Sequence, residues 1–104
     1  MADSIIEEDL TIEGNILSGE GSVEVKGKVK GDLTAQSVTV HLDGSIDGEL
    51  SAKTVEIEGR HSGRLNCDRL RLASTSVVQA DITAQSMTTE SGAKIDGKVK
   101  VSGT

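Results

Sequence analysis

Two histidines and one cysteine are the nitrogen and sulfur ligands that this chain could offer to a zinc ion. They lie at His41, His61 and Cys67. Structural zinc sites take their ligands largely in closely spaced pairs, and these three residues form no such pair. The spacing therefore predicts no metal site. We expect Cys67 to be a small buried apolar residue and His61 to be an imidazole satisfied at a corner of the fold.

Two acidic clusters have the residue types of a general acid and base. They are Glu7-Glu8-Asp9 and the pair Glu56 and Glu58. Hydrolysis of a glycosidic bond needs two carboxyl groups on either side of a cleft. The turns between the predicted strands are three to five residues long, which is too short to form the walls of a cleft. We interpret both clusters as solvated surface.

The glycines do not form a phosphate-binding loop. The segment Gly27-x-x-x-Gly31 continues into another predicted strand, without a Gly-Lys-Ser/Thr ending or a helix N-terminus. The net charge of −6, with 11 cationic residues interleaved among 17 acidic ones, disfavours nucleic acid and anionic membranes as partners. We therefore predict no catalytic residue, no cofactor and no enzymatic activity.

A repeat of 15 to 17 residues has to position all of these side chains. The segment Gly27–Ala35 alternates glycine and aliphatic residues, and the pattern returns at 44–52 and around 63–67. Positions i, i+2 and i+4 share one face of a strand, so the aliphatic columns predict a buried face. The glycine-column positions and the aliphatic residues that follow them are Gly14 and Ile16, Gly31 and Leu33, Gly48 and Leu50, Gly63 and Leu65, Ala80 and Ile82, and Gly97 and Val99.

This pattern predicts an all-β fold, namely a single-domain right-handed parallel β-helix (a solenoid) of about six short coils with 15 to 17 residues each. No segment has the period of an α-helix, and β-branched residues dominate the apolar positions. Right-handed winding follows the general preference of parallel crossovers, whereas a left-handed β-helix would need a near-strict six-residue period. We expect the β-helix to span residues 6–101, with short tails at 1–5 and 102–104.

The composition limits both the core and the location of the protein. The chain has no Phe, Tyr or Trp and an apolar fraction of 35%, so the predicted core is thin and each coil depends on its neighbours for stability. The apolar runs are too short for a transmembrane helix or a signal peptide. A single cysteine agrees with a reducing compartment. We expect a cytoplasmic protein.

The short Val-x-Val and Gly-x-Leu/Ile coils, most clearly the coil from Val38 to Ala52, resemble those of the bactofilins, a family of polymer-forming cytoskeletal proteins. The resemblance implies a β-helix that assembles end to end into filaments without nucleotide and acts as a scaffold in bacterial cell shape or protein localisation. It also implies a position at the inner face of the cell membrane through recruited cell-envelope proteins. Some family members carry a membrane-targeting tail. In this sequence residues 1–4 are too short a segment for such a tail, and residues 7–9, which follow, are acidic. We therefore expect no direct membrane binding.

The predicted ends carry no recognisable cap, and an uncapped end exposes unpaired backbone groups and an open core. Another copy could add there as if it were the next coil. Head-to-tail contacts and alternating contacts between like ends both give an open filament, and the resemblance favours the alternating arrangement. We predict that the polymerisation interface consists of Ile6, Leu10, Ile12 and Ile16 at the N-terminal end and of Met87, Ile95, Val99 and Val101 at the C-terminal end.

One other function remains open. A row of outward hydroxyl and amide side chains resembles the flat surfaces that bind carbohydrate or ice, which would make the protein a monomeric or dimeric binding module. The row consists of Thr34, Ser51, Asn66 and Thr83. A hexapeptide acyltransferase, by contrast, would need a six-residue period and an extended catalytic loop, and the sequence has neither.

Overall fold

Nine strands make up the computed structural model, which describes residues 4–7 and 9–101, with the backbone alone at residues 4 and 18–20. Every pairing between neighbouring strands is parallel, so the predicted all-β parallel solenoid is confirmed. No helix that could cross a membrane occurs in this part of the chain. The strands are β1 (Ser4–Ile6), β2 (Thr11–Val25), β3 (Lys28–Val40), β4 (Ser45–Ser51), β5 (Thr54–Ile57), β6 (Arg60–Leu72), β7 (Val77–Thr89), β8 (Lys94–Asp96) and β9 (Val99–Val101).

Neighbouring coils are aligned position by position, as the glycine column predicts, apart from one register shift between Ser18 and Ser22 of β2. Gly14 pairs with Gly31, Gly31 with Gly48, and Gly48 with Gly63. The turns differ in length, since residues 41–44 connect β3 to β4 while residues 58–59 connect β5 to β6. Because the lengths differ by an even number of residues, every inward side chain stays inward.

Each coil has three sides, which we number in chain order. The first side precedes the glycine column, as at 28–30, the second side follows it, as at 32–35, and the third side is the strand after the next corner, as at 37–40. Gly31 separates the first two sides with a φ of 125°, a conformation that glycine adopts at low cost. A Cβ atom there would lie 2.1 Å from the carbonyl oxygen of Gly14, so the stacking of coils also requires glycine.

Ala80 is an exception in the glycine column. It pairs with Gly63 as expected, but its φ is not positive. Its side chain instead continues the inward alternation of β7 and is buried. One coil therefore bends without the glycine conformation that the others use.

The solenoid makes about five turns, whereas about six coils were predicted. The N-terminal coil contains only its third side, β1, and the C-terminal coil ends on its second side, β9. Counting the glycine column therefore included one incomplete coil, that of Gly97, whereas β1 has no member in the column. Strand β1 begins at Ser4 and β9 ends at Val101, and residues 1–3 and 102–104 of the expected tails lie outside the described part of the chain.

The core is a narrow column of aliphatic side chains along the axis. The inward residues of β3 illustrate it, since Val29, Leu33, Val38 and Val40 are almost completely buried. Small branched side chains fill this space without aromatic residues because coils stacked about 4.8 Å apart leave room for little else. Most inward residues pair in register with the equivalent residue of the next coil, so stability comes from neighbouring coils.

Candidate functional site

The N-terminal end of the solenoid is an unpaired sheet edge. Residues 11–18 of β2 pair with β3 on one side, and β1 pairs only with residues 23–25 of β2. The backbone groups on the other side of residues 11–18 therefore have no partner strand among the described residues. Ile12 and Ile16 point inward on this edge and are only half-buried, in contrast with Val29 and Leu33 directly beneath them.

The other two residues predicted for this end have different environments. Ile6 on β1 pairs with Val25 and is 4% exposed, so it belongs to the core. Leu10 lies in the turn before β2 and is 47% exposed. The structure thus places Ile12 and Ile16 on the open edge, Leu10 at its rim and Ile6 inside.

Two further apolar residues at this rim were not included in the predicted interface. Leu17 points outward on the second side and is 81% exposed, and Ile5 points outward on β1 and is about half exposed. Leu17 occupies the row that continues as Thr34, Ser51 and Asn66. The sequence signal that could have identified Leu17 is an aliphatic residue in a row of otherwise polar residues.

The C-terminal end is a second unpaired edge. Strands β8 and β9 pair only with β7. Ile95 is half-buried against the core, while Val99 and Val101 are 43% and 49% exposed although they continue buried columns. Met87, on the third side of the last complete coil, is also half-buried. The structure therefore brings all four predicted residues of this end onto one surface.

The two edges present the same arrangement of residues. Ile12 and Ile95 are the first and last members of one inward column, and Ile16 and Val99 are the first and last members of another. Each edge has a glycine between these positions, and both glycines have a positive φ. Both edges therefore present the spacing of aliphatic and glycine positions that pairs with a neighbouring coil inside the solenoid. A strand from another copy could pair with either edge in the same register.

His61 lies in the core, in the column occupied elsewhere by Val and Ile. Its Nε2 is 2.9 Å from the carbonyl oxygen of Arg64, to which it donates a hydrogen bond in the neutral tautomer. Its buried Nδ1 has no hydrogen-bond partner, so the imidazole is only half satisfied, in contrast with the expectation. Burial lowers the pKa of His61, against weaker opposing effects of nearby backbone groups and Asp47. The ring is therefore neutral at pH 7.

Cys67 is buried against the next coil, where it pairs with Ala84. Burial raises the pKa of its thiol to about 11, and the charge of Asp68 contributes in the same direction. A thiol with such a pKa is a poor nucleophile and a poor metal ligand at neutral pH. In the described part of the chain no three His, Cys, Asp or Glu residues are grouped so that they could hold a metal ion.

The row of hydroxyl and amide side chains is also present on the second side. Ser51, Asn66 and Thr83 line a surface depression of about 320 Å³ together with Cys67 and Gln85. A second depression of about 540 Å³ lies at the C-terminal edge, between residues 81–83 and 98–100. Val99, an apolar residue of the edge strand β9, lines this second depression.

Comparison with known proteins gave one family and two solved structures. The sequence model of the family described as "Bactofilin: Polymer-forming cytoskeletal" matches residues 4–100. The structure of the cytoskeletal bactofilin BacA, determined by solid-state NMR, is similar with 38% sequence identity and a TM-score of 0.85, covering 93% of both chains. The crystal structure of a phenylalanine-to-arginine mutant of the bactofilin from Thermus thermophilus is similar with 21% identity and a TM-score of 0.79, covering 86% of this chain and 100% of that one. No curated protein matched in sequence.

Proposed function

Because this chain belongs to the bactofilin family of polymer-forming cytoskeletal proteins, we propose that it assembles end to end, without nucleotide, into filaments. The filaments would act as a scaffold in bacterial cell shape or protein localisation. The family is structural rather than enzymatic. The observation that carries the proposal is the pair of unpaired, matching strand edges at the two ends of the solenoid.

Burial of apolar side chains favours contact at these edges. Ile16 is half-buried and Val99 is 43% exposed, whereas Leu33 and Ile82, next to them in the same column, are almost fully buried. Burying an aliphatic side chain completely contributes about 1.5–3 kcal/mol. Several such side chains at each end, together with the pairing of backbone groups, provide a driving force that needs no nucleotide hydrolysis.

We assign the interface to the eight residues predicted from the sequence, with different roles. Four residues would continue the inward columns into the adjoining copy, namely Ile12, Ile16, Ile95 and Val99. Three more would be covered by that copy at the rim, namely Leu10, Met87 and Val101. Ile6 is already buried and would support the edge from inside. Leu17 and Ile5 extend the apolar rim at the N-terminal end.

The location and the other partners follow from the same proposal. We propose a cytoplasmic filament that reaches the inner face of the cell membrane through recruited cell-envelope proteins. Outward rows of polar side chains repeat along such a filament, and one of them is Thr34, Ser51 and Asn66. A repeated row offers a recruited protein the same contact at every subunit.

High-speed sedimentation of the purified protein in nucleotide-free buffer tests the proposal. We expect the protein to pellet with or without added ATP or GTP. A protein that stays in the supernatant as a monomer under both conditions would overturn the proposal and favour the binding-module alternative.

A further inference from the structure

One ring interrupts the aliphatic core in the middle of the solenoid. Of the two histidines in the chain, His61 alone is buried, and the other buried polar residue, Ser76, donates a hydrogen bond to the carbonyl of Ala73. Among the described residues, Nδ1 of His61 is the one buried side-chain nitrogen or oxygen without a hydrogen-bond partner. A second proton on the ring has to bind this atom, since Nε2 already carries the proton that it donates to Arg64.

The groups around the ring offer a second proton little stabilisation. On β6 itself the charged neighbours are two outward cations, Arg60 and Arg64. On β4 the outward carboxylate of Asp47 favours the charged ring, as nearby backbone groups do, but burial outweighs them and lowers the pKa. Residues 77–79 of β7, which pair with this part of β6, include no titratable group. The inward residues of β5 and of the third side of β6 are buried aliphatic residues.

A protonated His61 would therefore be a buried cation whose added N–H group has no acceptor within hydrogen-bond distance. Holding such a cation in an aliphatic core costs much more free energy than holding the neutral ring. Protonation thus favours any state in which water reaches Nδ1. The smallest such state separates the coil of His61 from a neighbouring coil, without unfolding the rest of the molecule.

The coil of His61 lies in the interior of the solenoid. The strands that carry the first side follow one another in the order β2, β3, β4, β6, β7 and β8, and His61 on β6 pairs with Ile46 of β4 and Val78 of β7. Each coil of a solenoid contacts only its neighbours, so a penalty at one coil acts on the adjoining interfaces and not on the ends. Opening at β6 leaves β1–β3 on one side and β7–β9 on the other paired as before.

We propose that His61 is an acid-sensitive break point, where protonation of Nδ1 opens the solenoid locally at the coil of β6 while the coils at both ends stay folded. A histidine ring in water titrates near pH 6.5, and burial lowers the pKa of His61 in the closed coil. The equilibrium between the closed and the open coil should therefore shift toward the open coil by up to about tenfold as the pH falls from about 7.5 to about 5.5.

In a filament the break point would control length, and this step rests on the proposed end-to-end assembly. Each half of an opened subunit remains stacked on an adjoining copy, which supports it as a neighbouring coil does. Opening at β6 would therefore cut a filament inside a subunit, while the contacts between copies persist. Filaments should become shorter as the pH falls.

Thiol labelling tests the break point, because Cys67 is buried on β6, the strand that carries His61. A pyridyl disulfide reacts with thiols at acidic pH, and its rate with the denatured protein corrects for the direct effect of pH on the reagent. The corrected rate for Cys67 in the folded wild type should rise up to about tenfold between about pH 7.5 and about pH 5.5. His61→Val should reduce this rise to less than about twofold. His61→Ile replaces it if circular dichroism shows that the valine variant does not fold.

Two controls separate local opening from other effects of acid. The double variant Cys67→Ala/Ala35→Cys moves the thiol to a buried position of the same column two coils away, where the corrected rate should not rise. His41→Gln removes the partly exposed histidine beside Glu24 and should leave the rise at Cys67 in place. Equal rises at both thiol positions, a rise that persists in His61→Val, or no rise in the wild type would overturn the break point.

Negative-stain electron microscopy at the same two pH values tests the consequence for filaments. Wild-type filaments should shorten several-fold at the lower pH, whereas filaments of His61→Val should keep their length. Wild-type filaments of unchanged length would overturn the cut inside the subunit. A wild type that forms no filaments at the higher pH would instead overturn the proposed function, while thiol labelling of the monomer still decides the break point.

Discussion

The Nε2 atom of His61 lies 2.9 Å from the carbonyl oxygen of Arg64, and the Nδ1 atom of the same ring is buried without a partner. The column above and below this ring contains Ile46 and Val78. A titratable, half-satisfied ring thus lies inside an aliphatic core. Its protonation is linked to the stability of the coils around it.

The first prediction concerns the pH dependence of stability. Burial holds the pKa of His61 below the ordinary histidine value of 6.5, so protons bind the unfolded state more readily than the folded one. The contribution of neutral His61 to the free energy of unfolding is fully present above pH 6.5 and is lost as the pH falls below that value. Thermal unfolding should therefore show a falling melting temperature from pH 8 to about 5.5. His61→Val should remove most of this dependence, because valine has no group that takes up a proton in this pH range.

His41 provides the control for this prediction. Its Nε2 lies 3.3 Å from Glu24 at the partly exposed turn, outside the core. His41→Gln should leave the fall in melting temperature between pH 8 and about 5.5 in place. An identical pH profile in wild type and His61→Val would contradict the assignment.

The second prediction concerns the glycine column. Gly31→Ala would place a Cβ atom 2.1 Å from the carbonyl oxygen of Gly14, at a φ of 125°. The positive φ alone costs about 1–2 kcal/mol, and the contact with backbone adds to it. We expect a loss of more than about 2 kcal/mol in chemical denaturation, whereas Ala80→Gly should cost only about 0.5–1 kcal/mol. A Gly31→Ala variant as stable as the wild type would show that coils stack less closely than described.

The third prediction uses Gly14 as a steric probe of the N-terminal edge. Its φ is 121°, but apart from Gly14 itself and its two chain neighbours, no atom of the described residues would lie within 4 Å of a Cβ atom there. Interior glycines of this column meet the backbone of the preceding coil, so the Cβ of Gly14→Ala would point to where a stacked copy lies. We expect a modest loss of stability, about 1–2 kcal/mol, and a clear rise in the concentration needed for polymerisation, measured by sedimentation.

Gly92→Ala is the matched control for this probe. Gly92 also has a positive φ, of 101°, but it lies in the turn between β7 and β8. Its substitution should reduce stability with little effect on polymerisation. Equal effects of the two substitutions on polymerisation would argue against stacking at Gly14.

The fourth prediction concerns Cys67. Its thiol pKa of about 11 and its burial predict that a thiol reagent at pH 7 reacts only when the protein unfolds. Cys67→Ala should cost less than about 1.5 kcal/mol, since Ala84 and Ala52 occupy the same column. Rapid labelling of the folded protein would contradict the buried position.

The sequence was sufficient to predict the coil, because period-two alternation and the repeat length together assign each inward residue. Val29, Leu33 and Val38 are buried as expected. The number of complete turns was not predictable from the glycine column, since a column counts incomplete coils equally. Ala80 follows the column in register but departs from its backbone conformation, and sequence spacing carries no information on φ.

The ends were predicted less completely than the interior. Spacing identified Ile12, Ile16, Ile95 and Val99 as the last members of their columns, which the structure places on open edges. It did not separate Ile6, which is buried, from Leu10, which is exposed, because exposure at an end depends on how the chain enters the first coil. Whether Nδ1 of His61 has a hydrogen-bond partner likewise depends on the orientation of the ring, which residue spacing does not determine.

Negative-stain electron microscopy of the purified wild type beside Ile12→Arg and Val99→Arg tests end-to-end assembly most directly. Each variant places a charge on one unpaired edge, where burial against another copy would remove it from water. Thr34→Arg places the same charge outward in the middle of the solenoid. We predict filaments for the wild type and Thr34→Arg, and folded particles without filaments for the two edge variants. A wild type that remains monomeric, or unchanged filaments in both edge variants, would contradict the account.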